Sequence, residues 1–253
     1  MPQEEHSAYS YLRQTKKFPN VWCSGCGIGV VMGALIRAVD RIGLAKDDVA
    51  VVSGIGCTGR MPVYLDFNTM HTTHGRALAF ATGLKLAQPK LKVIVVMGDG
   101  DALAIGGNHF IHAARRNIDL TAIIVNNSVY GMTGGQYSPT TPLDLRATTA
   151  PYGNIEQAIR KNGFSLIEAV SYCHTTFGRI NKLGTAVEMM RQLKDNSITR
   201  AAADKLTPEQ HGGKIVRGVL CDLDKPEYTA LYDQVIERAR AGANGQPRTA
   251  GGL

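Results

Sequence analysis

Short runs of apolar, mostly β-branched residues recur along this chain, and stretches with helical periodicity separate them. The strand-like runs are residues 49–53, 93–97, 121–125 and 164–168. The first three are apolar at almost every position, which is typical of strands buried on both faces of a parallel sheet. The helical stretches are residues 29–41, 75–87, 107–117 and 155–161. This alternation predicts an α/β fold with a doubly wound, mostly parallel sheet.

The C-terminal third carries weaker patterns. It predicts a helix from just after Thr185 to about Asn196, a helix that begins at Thr207, a strand at residues 215–220 and a helix at residues 228–240.

The length of 253 residues suits one large domain. We therefore expect residues 1–241 to form a single α/β domain. The last residues, 242–253, are glycine-rich, and we expect them to form a disordered tail.

The N-terminal residues 1–6 are polar and acidic, without the charged-then-apolar layout of a signal peptide. No apolar run approaches the roughly 20 residues that a membrane-spanning helix needs. We therefore expect a cytoplasmic protein that makes no membrane contact. Because cytosolic thiols stay reduced, the five cysteines favour metal or redox chemistry over disulfides.

The formal net charge is +7. A generally basic surface would account for it, and so would a basic patch that binds an acidic partner. A nucleic-acid partner is not expected, because aromatic residues make up only 6% of the chain and no basic block is interleaved with them.

Polar residues directly follow two of the predicted strands. The sequence GDGD occupies residues 98–101, and Asn126 and Asn127 follow the next strand. A divalent cation with a diphosphate needs oxygen ligands and close backbone approach. Asp99 can supply a carboxylate, Asn127 an amide oxygen and Val129 a backbone carbonyl. Each motif alone would also suit an ordinary turn. Together, at this spacing, they resemble the thiamine-diphosphate motif, in which Gly-Asp-Gly is followed by Asn-Asn.

Four cysteines lie in loops beside predicted helix or strand ends. Cys23 and Cys26 form a C-x-x-C pair before a helix, and Cys57 and Cys173 each follow a strand. Four thiolates from different loops can hold a [4Fe–4S] cluster, or a zinc ion in tetrahedral geometry. Cys221 instead ends an apolar run and is better interpreted as a small buried hydrophobic residue.

The sequence GIGCTG at residues 54–59 formally matches a dinucleotide-binding loop. However, Arg60, Met61 and Pro62 follow it, and no helical pattern begins there. We interpret these glycines as giving the backbone close access to a cofactor and a cluster.

Five segments in this order resemble the β subunits of 2-oxoacid:ferredoxin oxidoreductases. They are WCSGCG at 22–27, GIGC at 54–57, HTTHGRA at 71–77, GDGD at 98–101 and TGGQ at 133–136. The resemblance implies a thiamine-diphosphate-binding fold whose N-terminal and inserted loops carry one [4Fe–4S] cluster. The segment GDGDALAIGGNH at 98–109 is most similar to the 2-oxoglutarate branch.

The resemblance also implies roles for individual residues. Mg²⁺ would be held by Asp99, Asn127 and the carbonyl of Val129. The cluster would be held by Cys23, Cys26, Cys57 and Cys173, although Tyr172 and His174 replace the prolines that flank this last cysteine in the family. The cofactor would be lined by Ile55, Gly56, Cys57, Thr58, His74, Gly98, Gly100, Asp101, Gly131 and Met132. Arg60 and His74 are the candidate catalytic residues.

The implied activity is oxidative decarboxylation of a 2-oxoacid, with coenzyme A as acyl acceptor and ferredoxin as electron acceptor. A partner α subunit would supply the other half of the active site. Alternatives are a thiamine enzyme without redox metal, such as a decarboxylase or synthase subunit, and an iron–sulfur or zinc module without thiamine.

Arg60, which directly follows the 54–59 loop, is the candidate residue for selecting the substrate. The distal carboxylate of 2-oxoglutarate needs a cation, and arginine binds a carboxylate through two parallel hydrogen bonds. A contact to phosphate or coenzyme A, or a solvated loop position, would equally explain this arginine.

Overall fold

The computed structural model describes residues 7–16, 19–142, 145–149, 166–218, 220, 233–238 and 240. A five-stranded parallel sheet forms its centre. The strands are β1 (Val49–Ser53), β2 (Asn68–His71), β3 (Lys92–Gly98), β4 (Thr121–Asn126) and β7 (Leu166–Val170), in the order β2-β1-β3-β4-β7. Two small sheets lie outside it: the antiparallel pair β5 (Val129–Tyr130) and β6 (Gln136–Tyr137), and the parallel pair β8 (Ser197–Thr199) and β9 (Ile215–Arg217).

The helices are α1 (Gly27–Ile42), α2 (Ala77–Ala87), α3 (Gly107–Arg116), α4 (Ala186–Asp195), α5 (Arg200–Ala203) and α6 (Pro208–His211). Short 3₁₀ turns cover Ser7–Tyr11, Gln14–Lys16, Lys46–Asp48 and Thr58–Val63. Two π-helical turns cover Gly100–Ile105 and His174–Gly178, and residues 233–238 and 240 are also helical. None of the helices described here combines the length and apolar character needed to cross a membrane.

The sheet has a hydrophobic core on each face because successive side chains of a strand point to opposite sides. In β1, Val49 and Val51 pack with α1, whereas Ala50 and Val52 pack with α2 and α3. All five residues of β1 are buried, as expected for a parallel strand covered on both faces.

The spacing of apolar residues explains why helix α1 forms, and a glycine explains where it ends. Its buried Ile28, Met32, Leu35 and Val39 recur at intervals of three and four residues. Gly43 ends the helix with φ of 74°, a left-handed conformation that glycine adopts without the strain of a Cβ atom.

The predicted fold class is confirmed, and the predicted helices agree with α1 to α4 within two residues at each end. Strand 164–168 is found as β7, with residues 164–165 outside the described part of the chain, and strand 215–220 ends earlier, at Arg217. The predictions for helix 155–161, the start of helix 228–240 and the tail 242–253 also concern residues outside that part.

Strand β2 was not predicted, because its sequence NTMH is polar and largely exposed. It is an edge strand, and among the described residues it pairs with β1 alone. Pairing with β1, rather than an apolar pattern, fixes it in the sheet. The β5–β6 hairpin was missed because two strands of two residues each are too short to show an alternating pattern.

Candidate active site

The carboxyl ends of β3 and β4 bring together the three predicted magnesium ligands. Asp99 directly follows β3, and Asn127 directly follows β4. One end of the Asn127 side-chain amide lies 3.1 Å from Asp99 Oδ1 and 2.7 Å from the carbonyl oxygen of Val129. With its nitrogen at that end, the amide donates a hydrogen bond to each of these oxygens. With its oxygen there, three oxygen atoms face one another, and only a cation between them makes that arrangement favourable.

The spacing of these atoms fits magnesium. Octahedral Mg²⁺ binds oxygen at 2.0–2.1 Å, so neighbouring ligand oxygens lie about 2.9 Å apart. The two measured distances, 2.7 and 3.1 Å, bracket this value. A carboxylate, an amide oxygen and a backbone carbonyl are also the hard oxygen donors that Mg²⁺ prefers. The donor set therefore fits the cation that the sequence predicts.

The second oxygen of Asp99 is held by two hydroxyl groups. Ser138 Oγ and Thr140 Oγ1 each donate a hydrogen bond of 2.5 Å to Asp99 Oδ2. Their loop is fixed in turn, because Thr141 Oγ1 donates to the carbonyl of Ser128 at 2.7 Å. Burial raises the pKa of the Asp99 carboxyl above its ordinary value, and the two hydroxyl hydrogen bonds oppose this shift. With Oδ2 occupied in this way, Oδ1 is the oxygen turned toward Asn127.

Sequence reasoning did not identify Ser138 and Thr140. A signal was available in the segment SPTTP at residues 138–142, where three hydroxyl side chains and two prolines occupy five consecutive positions. Ser138 is 39 residues away in sequence from Asp99, the residue to which it bonds. Only the fold brings the two segments together, so the signal had no evident target.

Asp101 connects two loops at the edge of the site. Its Oδ1 accepts hydrogen bonds from His74 Nδ1 at 2.5 Å, from the Gly75 amide at 2.7 Å and from the Ile55 amide at 3.3 Å. Burial raises the pKa of the Asp101 carboxyl, while these donors oppose the shift. An added Cβ at Gly54 would lie 2.1 Å from Asp101 Oδ2, so this glycine is required for the approach. His74 is thereby oriented, and its side chain remains 31% exposed.

Gly100 is required for a second close approach. A Cβ at this position would lie 2.2 Å from the ring of Tyr130, whose hydroxyl donates to the Gly100 carbonyl at 3.2 Å. By contrast, a Cβ at Gly98 would meet only Thr58 Oγ1, at an ordinary 3.8 Å. The second glycine of the Gly-Asp-Gly motif is thus the one that this packing requires.

The four cysteines predicted as cluster ligands share one neighbourhood. Thr175 Oγ1 lies 3.4 Å from Cys23 Sγ and 3.9 Å from Cys173 Sγ. Burial raises the pKa of the Cys57 thiol to about 11, with smaller contributions from the three other thiols. Cys23 is exposed, and the other three are partly buried. Cys221, the rejected candidate, lies outside the described residues.

Two buried aromatic residues hold the cysteine loops in place. Trp22 Nε1 donates to the Cys57 carbonyl at 2.7 Å, and Tyr172 OH donates to the Gly25 carbonyl at 3.0 Å. Each bond joins segments that are far apart in sequence. Within the described residues, no group of three or more histidine, cysteine, aspartate or glutamate side chains is arranged to hold a single metal ion.

Gly131 joins the two parts of the site. A Cβ at this position would lie 3.6 Å from Cys57 Sγ, 3.6 Å from Cys173 Sγ and 3.7 Å from Asn127 Nδ2. The thiols and the candidate magnesium ligands are therefore separated by little more than one small residue.

Residues 54–196 match the family model described as thiamine pyrophosphate enzyme, C-terminal TPP binding domain. The chain is 44% identical to the 2-oxoglutarate synthase subunit KorB of Methanocaldococcus jannaschii, over 93% of this chain and 99% of that protein. It is also 44% identical to the subunit of the same name from Methanothermobacter marburgensis, over 94% of this chain and 95% of that one. The chain belongs to the 2-oxoacid:ferredoxin oxidoreductase β subunits.

A solved structure places this β subunit in the same fold. The 2-oxoglutarate:ferredoxin oxidoreductase from Magnetococcus marinus, solved with 2-oxoglutarate, coenzyme A and succinyl-CoA bound, matches with a TM-score of 0.78. Its identity to this chain is 29%, over 96% of this chain and 97% of that chain. The predicted thiamine-diphosphate-binding fold is confirmed by this match and by the family model.

Three further residues predicted for the site are exposed in the β subunit. Ile55 is 37% exposed and Met132 is 40% exposed. Arg60 is exposed in the 3₁₀ turn that follows Cys57, and its amide donates to the Cys57 carbonyl at 3.3 Å. Its position beside the 54–59 loop leaves the guanidinium available to a ligand.

Proposed function

We propose that this chain, together with a partner α subunit, converts 2-oxoglutarate and coenzyme A to succinyl-CoA and CO₂ and passes the electrons to ferredoxin. Each turnover breaks the bond between the keto carbon and the carboxylate, forms the thioester and releases one proton and two electrons. Two molecules of a one-electron carrier therefore accept them. The same reaction can run in reverse as a reductive carboxylation.

The main support for this proposal is the position of Gly131, since this residue lies against two of the four thiols and against Asn127. When bound, thiamine diphosphate supplies an electron sink for decarboxylation, and a [4Fe–4S] cluster accepts electrons one at a time. A thiamine enzyme without redox chemistry has no need for thiols at this place. A thiamine-free module has no need for the oxygen ligands beside them.

The residues of this chain would act by binding and orientation. Asp99, Asn127 and the Val129 carbonyl would hold Mg²⁺ and thereby the diphosphate. His74, fixed by Asp101, would face the cofactor, which would also be lined by residues 55–58 and by Gly98, Gly100, Gly131 and Met132. Cys23, Cys26, Cys57 and Cys173 would hold the cluster.

The test of the proposed function is an assay of the purified two-subunit enzyme with methyl viologen as electron acceptor. We expect reduction of viologen that depends on both coenzyme A and 2-oxoglutarate. Arg60→Met should raise KM for 2-oxoglutarate far more than for pyruvate or 2-oxobutyrate, because only 2-oxoglutarate brings a second carboxylate.

An equal loss of activity with all three substrates would mean that Arg60 serves the cofactor or the fold. Preference of the wild-type enzyme for pyruvate would contradict the proposed substrate. Release of CO₂ without reduction of viologen would favour the decarboxylase alternative.

The hydroxyls of Ser138 and Thr140, which donate to Asp99, lead to a further prediction. The double variant Ser138→Ala/Thr140→Val should bind thiamine diphosphate with Mg²⁺ about 10–100-fold more weakly, as is typical when partners behind a metal ligand are removed. Isothermal titration of the two-subunit enzyme measures this affinity directly. Thr133→Val is the matched control, because Thr133 lies in the β5–β6 hairpin just before this loop but bonds to Gln136 instead. Equal affinities for the double variant and the control would contradict the role assigned to these hydroxyls.

A further inference from the structure

A shallow surface groove lies directly beside Cys23 and Cys173. It is formed by the π-helical turn after Cys173 and by the start of α4, and its lining includes His174, Thr175, Arg179, Lys182, Thr185 and Ala186. We call it the basic groove. Thr175 contacts both Cys23 and Cys173. On its other side, Ala186 lies next to the Cys23–Cys26 loop, since a Cβ at Gly25 would be 3.0 Å from Ala186 Cβ.

Two cationic side chains in the lining of the basic groove form no ion pair. Arg179 and Lys182 are exposed, and neither has an ion-pair partner in the part of the chain that the structure describes. The neighbouring carboxylate of Glu188 keeps its negative charge, but it accepts hydrogen bonds from the amide and hydroxyl of Thr185 in the α4 cap and pairs with neither cation. The N-terminus of α4 adds its own partial positive charge.

The groove lies beside the exposed thiol of the set, because Thr175 in its lining contacts Cys23. Cys23 is exposed, whereas Cys26, Cys57 and Cys173 are partly buried. A protein that exchanges electrons with a centre held by these cysteines must come close to this face. The basic groove therefore combines proximity to the thiols with a charge that attracts an acidic surface.

We propose that the basic groove is the docking surface for the electron-carrier protein, and that Arg179 and Lys182 bind acidic side chains on that carrier. This inference rests on the proposed function and adds to it the face and the residues that recognise the partner. The carrier is a small one-electron protein with a negatively charged surface, and two carriers dock in succession for each substrate oxidised. A small acceptor such as methyl viologen has no need of this surface.

The test compares Arg179→Glu/Lys182→Glu in the purified two-subunit enzyme with the matched control Lys90→Glu/Arg115→Glu. The control makes the same charge change at exposed positions beside the amino ends of β3 and β4, at the opposite edge of the sheet from the cysteines. Binding of a purified, oxidised, negatively charged ferredoxin is measured by biolayer interferometry at low and high salt. We expect the affinity of the groove variant to fall about tenfold or more at low salt, and the difference to shrink at high salt.

Kinetic measurements separate this inference from the proposed function. With viologen as acceptor, the groove variant should keep the wild-type KM values for 2-oxoglutarate and coenzyme A. Unchanged ferredoxin affinity, or an equal loss in the control, would overturn the docking surface. A raised KM for coenzyme A with viologen would also overturn it and assign the groove to the phosphates of coenzyme A. A wild-type enzyme that reduces no viologen would instead contradict the proposed function.

Discussion

Replacement of Asp99 by asparagine is expected to reduce the affinity for thiamine diphosphate with Mg²⁺ by more than about 100-fold, since even partners behind a metal ligand change metal affinity by 10–100-fold. The substitution keeps the shape of the side chain and removes its charge. It would also allow an amide nitrogen to face Asn127 and the Val129 carbonyl, where a cation needs an oxygen. Isothermal titration of the two-subunit enzyme with thiamine diphosphate at several Mg²⁺ concentrations measures the effect.

The matched control is Asp66→Asn, which removes an exposed carboxylate that pairs with Lys46. Its cofactor affinity should equal that of the wild type. Iron content should be unchanged in both variants, because neither aspartate lies among the cysteines. Thiamine binding by Asp99→Asn at wild-type affinity would contradict the assignment of this residue as a magnesium ligand.

The second large effect concerns the iron–sulfur cluster. Cys173→Ser should lower the iron content from about four atoms per chain to less than about one, because a [4Fe–4S] cluster is held by four thiolates. The visible absorption of the cluster and the electron paramagnetic resonance signal of its reduced form should disappear with the iron. Cofactor titration should still detect thiamine binding, since Asp99 and Asn127 are unaltered.

Cys221→Ser is the matched control for this experiment, because it makes the same chemical change at the fifth cysteine. We expect it to retain a normal cluster. The reverse result, with a normal cluster in Cys173→Ser and none in Cys221→Ser, would show that the fourth ligand had been assigned to the wrong cysteine.

The central fold was predictable because its strands are buried on both faces. The runs that became β1, β3 and β4 are apolar at almost every position, and such runs have few alternatives to a parallel sheet. Strand β2 had no such signal, since it is held at the sheet edge by backbone hydrogen bonds to β1. Backbone pairing does not depend on the side chains of NTMH, so the sequence carried no sign of it.

The site was predictable only where local sequence and strand ends coincide. Asp99 and Asn127 were identifiable because each follows a predicted strand and the two strands are neighbours. The hydroxyls of Ser138 and Thr140 act on Asp99 across 39 and 41 residues, in a loop with no strand pattern of its own. The net charge indicated that a basic patch could exist. It could not locate the basic groove, because total charge does not say where cations lie.

The hydroxyl contacts to Asp99 have a consequence for how the cofactor enters. The loop at residues 138–141 is anchored by bonds within the protein, to Asp99 and to the Ser128 carbonyl. In the proposed diphosphate site these bonds would fix one side by contacts within the protein, so little conformational entropy would be lost there on binding. Cofactor capture at this side should then be governed by diffusion and by Mg²⁺ supply rather than by a slow ordering step.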